Sequence, residues 1–326
     1  MKVFLIGGTG FLGSAAAEEL IGRGHEVKAI ALESAPEGAR FPQESLALSD
    51  DEIRDCFYGC EGFVFAAGIN GRITGAPPIH EYFNKFNVYP LQRLMRIAKE
   101  CGVKNTVICG SYFSYFDKKW ENLELSRWHP YIRSLRDQEK MALSFADDNF
   151  NVAILELPCV FGNQNEREPV WTIIVKAVRS MPFVTLSPKG GTTMITKNQA
   201  AQAIAGALER SRGGKCWRIG CYNIPWKDFL AVVHREMGMP GKKVITIPKW
   251  LLNLGIKYIE KKRKEARGNN ECGIFLPKFS GLLSAETYID RTHGCIPLGV
   301  KDDDIERAIG ESIRYSAAFI RRGSNP

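Results

Sequence analysis

The opening stretch MKVFLIGGTGFLGSAAAEELIGRGHEVKAI constrains the fold more than any other part of the chain. Lys2 to Ile6 is a short apolar run, and glycines follow at 7, 10 and 13. SAAAEELIGRG has helical composition, Gly22 and Gly24 stop it, and HEVKAI begins a second strand. A strand, a glycine turn, a helix and a strand in that order supply the context in which a glycine motif acquires meaning. Gly7 permits a tight turn, Gly10 allows backbone to approach a pyrophosphate, and Gly13 allows the helix to sit close to the strand. The free N–H groups of the helix start suit an anion.

The alternation continues. DDEIRDCFYG reads as a helix, GFVFAAG (62–68) as a buried strand, and PLQRLMRIAKECG (90–102) as a helix with apolar positions at 91, 94, 95 and 98. NTVICGS (105–111) is the next strand, YIRSLRDQEKMALSFADD a helix, and NVAILELPCVFG (151–162) another strand. Short strands separated by helices predict a doubly wound parallel α/β sheet, with ligands beyond the carboxyl ends of the strands, where Gly68, Ser111 and 158–162 fall. TTMITKNQAAQAIAGALER and KCWRIG restore a strand, a helix and a strand. The expected division is a nucleotide-binding domain over 1–165, to which 192–222 returns, and a smaller substrate domain from 166–191 and 223–326.

Bulk properties narrow the class. The chain has 326 residues, 44% hydrophobic and 25% charged, which suits an ordinary globular protein. No run is long enough for a signal core or a membrane span; the most apolar later stretch, WLLNLGIKYI (250–259), is too short. Nine scattered cysteines without a C-x-x-C pair fit reduced thiols, so the expected location is cytoplasmic. Isolated histidines suggest no metal site. The net charge of +8 owes much to KYIEKKRKEAR (257–267), which reads as a helix with a solvated basic face. That reading is preferred to an anionic partner or a membrane surface, and no aromatic-interleaved motif points to nucleic acid.

With these elements placed, the chain resembles the extended short-chain dehydrogenase/reductases, the NAD-dependent epimerase/dehydratase group, nearly end to end. GGTGFLG resembles the group's Gly-x-x-Gly-x-x-Gly opening. KFNVYPLQRLMRIAKECGVKNTVICGSYFSYF resembles the stretch with an asparagine and then a strand ending in the active-site serine. HPYIRS is similar to the context of the active tyrosine, and LPCVFG to the loop over the nicotinamide. The resemblance implies a Rossmann sheet with a smaller C-terminal substrate domain, NAD or NADP as cofactor, and a small-molecule substrate. It also implies a homodimer built on the helices of 90–102 and 131–146.

Carried over residue by residue, the group's tetrad falls on Asn87, Ser111, Tyr131 and Leu135, the last in place of lysine. Tyrosine would exchange the proton, serine would hold the same oxygen, and asparagine would support a water relay. Asn87 reads equally well as a helix cap. Cofactor contacts are expected at Gly7, Thr9, Gly10, Phe11, Leu12, Gly13, Glu33, Leu48, Ala66, Ala67, Gly68, Pro158 and Val160. Tyr112, Phe113 and Phe161 are expected at an aromatic pocket mouth, which favours a partly apolar substrate. Ala31 and Leu32 stand where a cofactor-selecting acid or arginine is usual, and Ala47 where an adenine-side aspartate is usual. Glu33 leans the choice towards NAD.

The missing lysine matters because i and i+4 share a helix face. A free tyrosine has a pKa of ~10, so roughly one in a thousand is ionised at neutral pH. A cation within ~4–6 Å would lower that. Leu135 offers none, and Arg136 is turned about 100° around the axis. Three readings follow: a slower or alkaline-shifted oxidoreductase or epimerase-type enzyme, a non-catalytic dinucleotide-binding regulator or assembly subunit, and a non-redox lyase or isomerase using the same pocket.

Overall fold

A computed structural model describes residues 1–30, 48–163 and 168–322. Ala31, Leu32, Glu33 and Ala47 lie outside the described residues. Six strands form the central sheet: β1 (Lys2–Ile6), β2 (Glu26–Ile30), β3 (Gly62–Phe65), β4 (Asn105–Ser111), β5 (Asn151–Leu157) and β6 (Gly214–Arg218). Their order is β6-β5-β4-β3-β1-β2 and every pairing is parallel, as the alternation of strands and helices predicts.

The period of two along each strand divides the core. Val3, Leu5, Val64, Val107 and Leu155 face one side, with α1 (Phe11–Gly22) and α5 (Lys197–Arg210) against them. Phe4, Ile6, Phe63, Phe65, Ile108 and Ile154 face the other side. There they pack on α2 (Asp50–Phe57), α3 (Tyr89–Glu100) and α4 (Pro130–Leu143). Small residues bring α1 and α5 together through Ala16, Ala200, Ala203 and Ala207. α2 starts on a capping box, Ser49 with Glu52, and α5 on another, Thr196 with Gln199.

Two expected elements divide differently. NVAILELPCVFG is not one strand: β5 ends at Leu157 and Cys159–Phe161 pairs instead with Gly191–Thr196. Pro158, between them, has no N–H to give a ladder, and there the chain leaves the central sheet. The helix expected to run to Asp148 stops at Leu143, capped by Ser144, and Asp147 turns back on Phe150. Gly191–Thr196 also pairs with Tyr222–Pro225 and Glu286–Thr287, so it belongs to a second, four-stranded sheet. A further core of Phe161, Val175, Phe229, Val233, Ile309 and Ile313 lies on that side.

Candidate active site

The glycine turn is built as its sequence suggests. The Gly10 N–H donates to the Gly7 carbonyl at 2.8 Å and Gly10 sits at the head of α1. No side chain caps that head and its first turn carries no acid, so the N–H groups and the positive helix end are left for an anion. A Cβ on Gly13 would lie 2.0 Å from the Gly7 carbonyl oxygen, so only glycine lets the helix begin this close to the turn. Phe11 and Val160 line a shallow, open recess beside this turn, together with Gly162, Trp171, Ser312 and Tyr315. Thr9 lies in the turn and Leu12 in the first turn of α1. Ala66 hydrogen-bonds through its N–H to Ile6 at 3.0 Å, and Ala67 and Gly68 follow directly beyond β3. Leu48 offers its carbonyl to Arg93 at 2.7 Å, and Pro158 is buried at the end of β5. An uncapped helix start and a turn that excludes Cβ atoms suit the pyrophosphate of a dinucleotide.

Asn87 is neither a helix cap nor a free amide. It lies in a π-helical segment, Asn84–Val88, placed just before α3, where Pro90 removes one ladder N–H. The widened turn carries Asn87 inward. Its Oδ1 accepts from the Ile69 N–H at 2.8 Å and its Nδ2 donates to the Ile69 carbonyl at 3.1 Å. Both ends of the amide therefore clamp the chain just after Gly68. Gln138 on α4 donates to the Asn87 carbonyl at 2.6 Å, a tie that sequence reading missed. Its signal was present: Gln138 is seven residues after Tyr131 and shares its face of α4.

Ser111 ends β4 and caps the helix Tyr112–Lys119, its Oγ accepting from the Phe113 N–H at 3.4 Å. Its own proton is left for another acceptor, and among the described residues no hydrogen bond joins it to Tyr131. Tyr131 opens α4 and is half-buried, its ring 5.5 Å from that of Phe83. A Cβ on Gly71 would meet that ring at 2.6 Å and Ile274 at 2.8 Å, so the loop after β3 and the segment around Gly273 close over the tyrosine. The Tyr131 N–H donates to the Gly273 carbonyl at 3.2 Å. Burial among these groups pushes the Tyr131 hydroxyl up to about 12, and no charge acts to bring it back.

Two cations of this helix region, Lys118 and Arg136, are engaged with carboxylates. Lys118 binds Glu156 at 2.7 Å and Glu139 at 3.0 Å, and Arg136 binds Glu139 at 2.7 Å and Asp117 at 3.3 Å. Leu135 is buried. Glu139, Glu156 and Cys216 have ligand atoms within 4.8 Å of one another, but the Lys118 ammonium already serves both carboxylates. Glu156 is fully buried and burial pushes its carboxyl from 4.5 up to about 7. Between those values the folded chain keeps a proton that the unfolded chain has lost, so stability falls as pH rises. Glu156→Gln is expected to flatten this. Thermal midpoints should decline from pH 5 to 8 in the native protein and hold steadier in the variant. Equal slopes would remove Glu156 as the cause.

The aromatic residues expected at a pocket mouth are mostly core. Phe161 is fully buried and stacks on Trp171, centroids 4.0 Å apart, because the strand that carries it has joined the second sheet. Tyr112 is buried with its hydroxyl 3.0 Å from that of Thr192. Phe113 is half-buried and meets Phe279 edge-on at 5.5 Å. The groups that surround Tyr131 are instead Phe83, at the end of the short helix Ile79–Phe83, and Gly71 and Ile274 from loops, none of them in a motif.

Fold and site together define a dinucleotide-binding α/β protein with a tyrosine beyond the sheet's carboxyl edge. Residues 3–192 match the model of the NAD dependent epimerase/dehydratase family, and the chain belongs to that family. It is 23% identical to a putative dihydroflavonol 4-reductase of Synechocystis sp., covering 96% of this chain and 93% of that one. Among solved structures it is similar to human epimerase family protein SDR39U1 with NADPH, at 15% identity and TM-score 0.66, covering 98% of this chain and 99% of that one. It is likewise similar to a UDP-glucose 4-epimerase from Bifidobacterium longum in complex with NAD+ and UDP, at 13% identity and TM-score 0.64, covering 99% and 100%. Among the described residues no helix is long and apolar enough to cross a membrane.

Proposed function

We propose that this chain is an NAD(P)-dependent reductase that acts on a carbonyl of a small or mid-sized, partly apolar substrate, with Tyr131 as the proton donor. The observation that carries this reading is the setting of Tyr131, packed among Phe83, Gly71 and Ile274 with Leu135 one turn along its helix, where burial raises its hydroxyl. At a pKa of about 12, only about one hydroxyl in 10⁵ is ionised at pH 7. Such a group is a poor base for taking a proton from a carbinol, yet it is fully charged with the proton that a reduced carbonyl oxygen needs. Ser111, with its Oγ already accepting from Phe113, donates its own proton to the same oxygen and orients it. Asn87 and Gln138 act on neither atom directly: they fix the backbone beyond Gly68 and keep α4 in register with it.

A nicotinamide dinucleotide, held by the Gly7–Gly13 turn, Ala66–Gly68 and the Pro158–Val160 side of the recess, supplies the hydride when bound. The family match and the NAD+ and NADPH of the similar structures support this cofactor class. The apolar surroundings of Tyr131, namely Phe83, Ile73 and Ile274, support a partly apolar substrate.

Two measurements test the reading. NADH and NADPH are titrated separately, followed by nicotinamide fluorescence, and the bound form is then offered a panel of aldehydes and ketones between pH 6 and 9. Reduction should be nearly independent of pH, oxidation of the matching alcohol should rise about tenfold per pH unit, and Tyr131→Phe should lose both. Binding without turnover across the panel would favour a non-catalytic dinucleotide sensor, for which Leu135 one turn after Tyr131 is the motivating observation. Failure to bind either cofactor would end both readings.

A further inference from the structure

The basic segment near the carboxyl end is part of a longer helix than its charge alone suggests. α6 (Lys249–Arg267) runs for 19 residues and rests on the protein through a narrow face, with only Ile256 and Glu260 buried. Its outer face is apolar in the first half. Trp250, Leu254 and Tyr258, four residues apart, are 65%, 55% and 61% exposed. At about 100° per residue they lie along one stripe. The stripe has company upstream. Ile245 and Leu186 are register partners on a two-stranded ribbon, both exposed, and Phe183 beside them is 88% exposed.

Charge surrounds this stripe with one sign. α6 holds seven Lys or Arg against two Glu, and one of those, Glu260, is turned inward to Arg267 at 2.7 Å. Lys257, Lys261, Lys262 and Lys264 are exposed, and Lys262 stands 4.7 Å over the Tyr258 ring. Large aromatic and aliphatic side chains left in water, flanked by cations on the same helix, are the pattern of a helix that lies in the plane of a bilayer interface.

We propose that α6 docks this protein peripherally on an anionic membrane surface, with Trp250, Leu254 and Tyr258 entering the headgroup region and the four lysines meeting anionic lipids. The occupant is argued from charge: a neutral apolar partner would leave the cation excess unused, whereas an anionic lipid surface satisfies both halves of the helix. This revises the preference for a purely solvated basic face. It stands apart from the catalytic reading, because it involves none of the residues around Tyr131.

The test uses the full chain and vesicles of phosphatidylcholine alone or with 30% phosphatidylglycerol, in a sedimentation assay at 150 and 500 mM NaCl. At least tenfold stronger binding to the anionic vesicles is expected, falling several-fold at high salt. Leu254→Glu with Trp250→Glu should abolish it, and Lys261→Glu with Lys262→Glu should reduce it at least tenfold. These positions are exposed, so the variants should keep the native circular dichroism and thermal midpoint, which confirms that loss of binding is not loss of folding. Absence of vesicle binding, or equal binding to neutral and anionic vesicles, overturns the proposal. A dimer in solution that dissociates in the Trp250/Leu254 variant, without vesicle binding, also overturns it and assigns the face to a second copy of the chain.

Discussion

Gly13→Ala is expected to abolish binding of both NADH and NADPH and to lower stability, although alanine is the better helix former. The two effects of the substitution oppose each other. Replacing glycine within a helix by alanine favours the helix by up to ~1 kcal/mol. Here the added Cβ would stand 2.0 Å from the Gly7 carbonyl oxygen and 2.6 Å from its carbon, both backbone atoms of the tight turn. Neither can move like the end of a flexible side chain, so α1 must retreat from β1. Overpacking of this kind costs about 1–3 kcal/mol, and the clash outweighs the propensity gain. The retreat also removes the helix start from the position where its N–H groups converge. The control is Gly22→Ala at the other end of α1, where a Cβ would meet nothing within 4 Å and the residue is exposed. Gly22→Ala should bind both cofactors as the native chain does and melt at the same or a slightly higher temperature. Nicotinamide fluorescence titration and thermal melting decide the matter. If Gly13→Ala still binds either cofactor with native affinity, the glycine turn is not the anion site.

The reason why some of this could be read in the sequence and some not is the distance over which each feature is determined. The glycine turn, α1 and the strand alternation are local: their causes lie within a few residues, whereas the order of the central sheet also depends on where the connections reverse direction, which no local pattern marks. The candidate site could be marked in the sequence only by motif, at Ser111, Tyr131 and Leu135. The double clamp of Asn87 on Ile69 needed a π-helical turn that no pattern of apolar residues announces. The closure of Gly71 and Ile274 over Tyr131 joins segments about 200 residues apart, which is a property of packing alone. Phe161 shows the opposite error. It belongs to a motif, but the interruption at Pro158 sends its strand into another sheet and its ring into another core.

Leu135→Lys should convert the proton chemistry of the site. In the native chain Tyr131 stands at about 12, raised by burial alone. A lysine one turn along α4, on the same face, brings a cation to within reach of the hydroxyl, and an opposite charge at that range lowers a tyrosine pKa by about 1–3 units. The ionised fraction at pH 7 then rises by about 10–1,000-fold, and oxidation of the alcohol should rise with it until another step limits the rate. Reduction should change little, since its proton donor is available in both proteins. The substitution has a structural cost, because Leu135 is buried and the ammonium must find water or a polar partner there. A loss of roughly 2–4 kcal/mol is expected, comparable to removing a buried leucine side chain. Leu135→Met keeps the volume without the charge and should leave both the pKa and the rates as they are. The pKa can be followed without a substrate by carbon-13 labelling of the tyrosine ring, with Tyr131→Phe identifying its resonance. A Leu135→Lys protein that folds and binds cofactor while Tyr131 still titrates near 12 would show that burial, rather than the missing cation, sets the chemistry of this site.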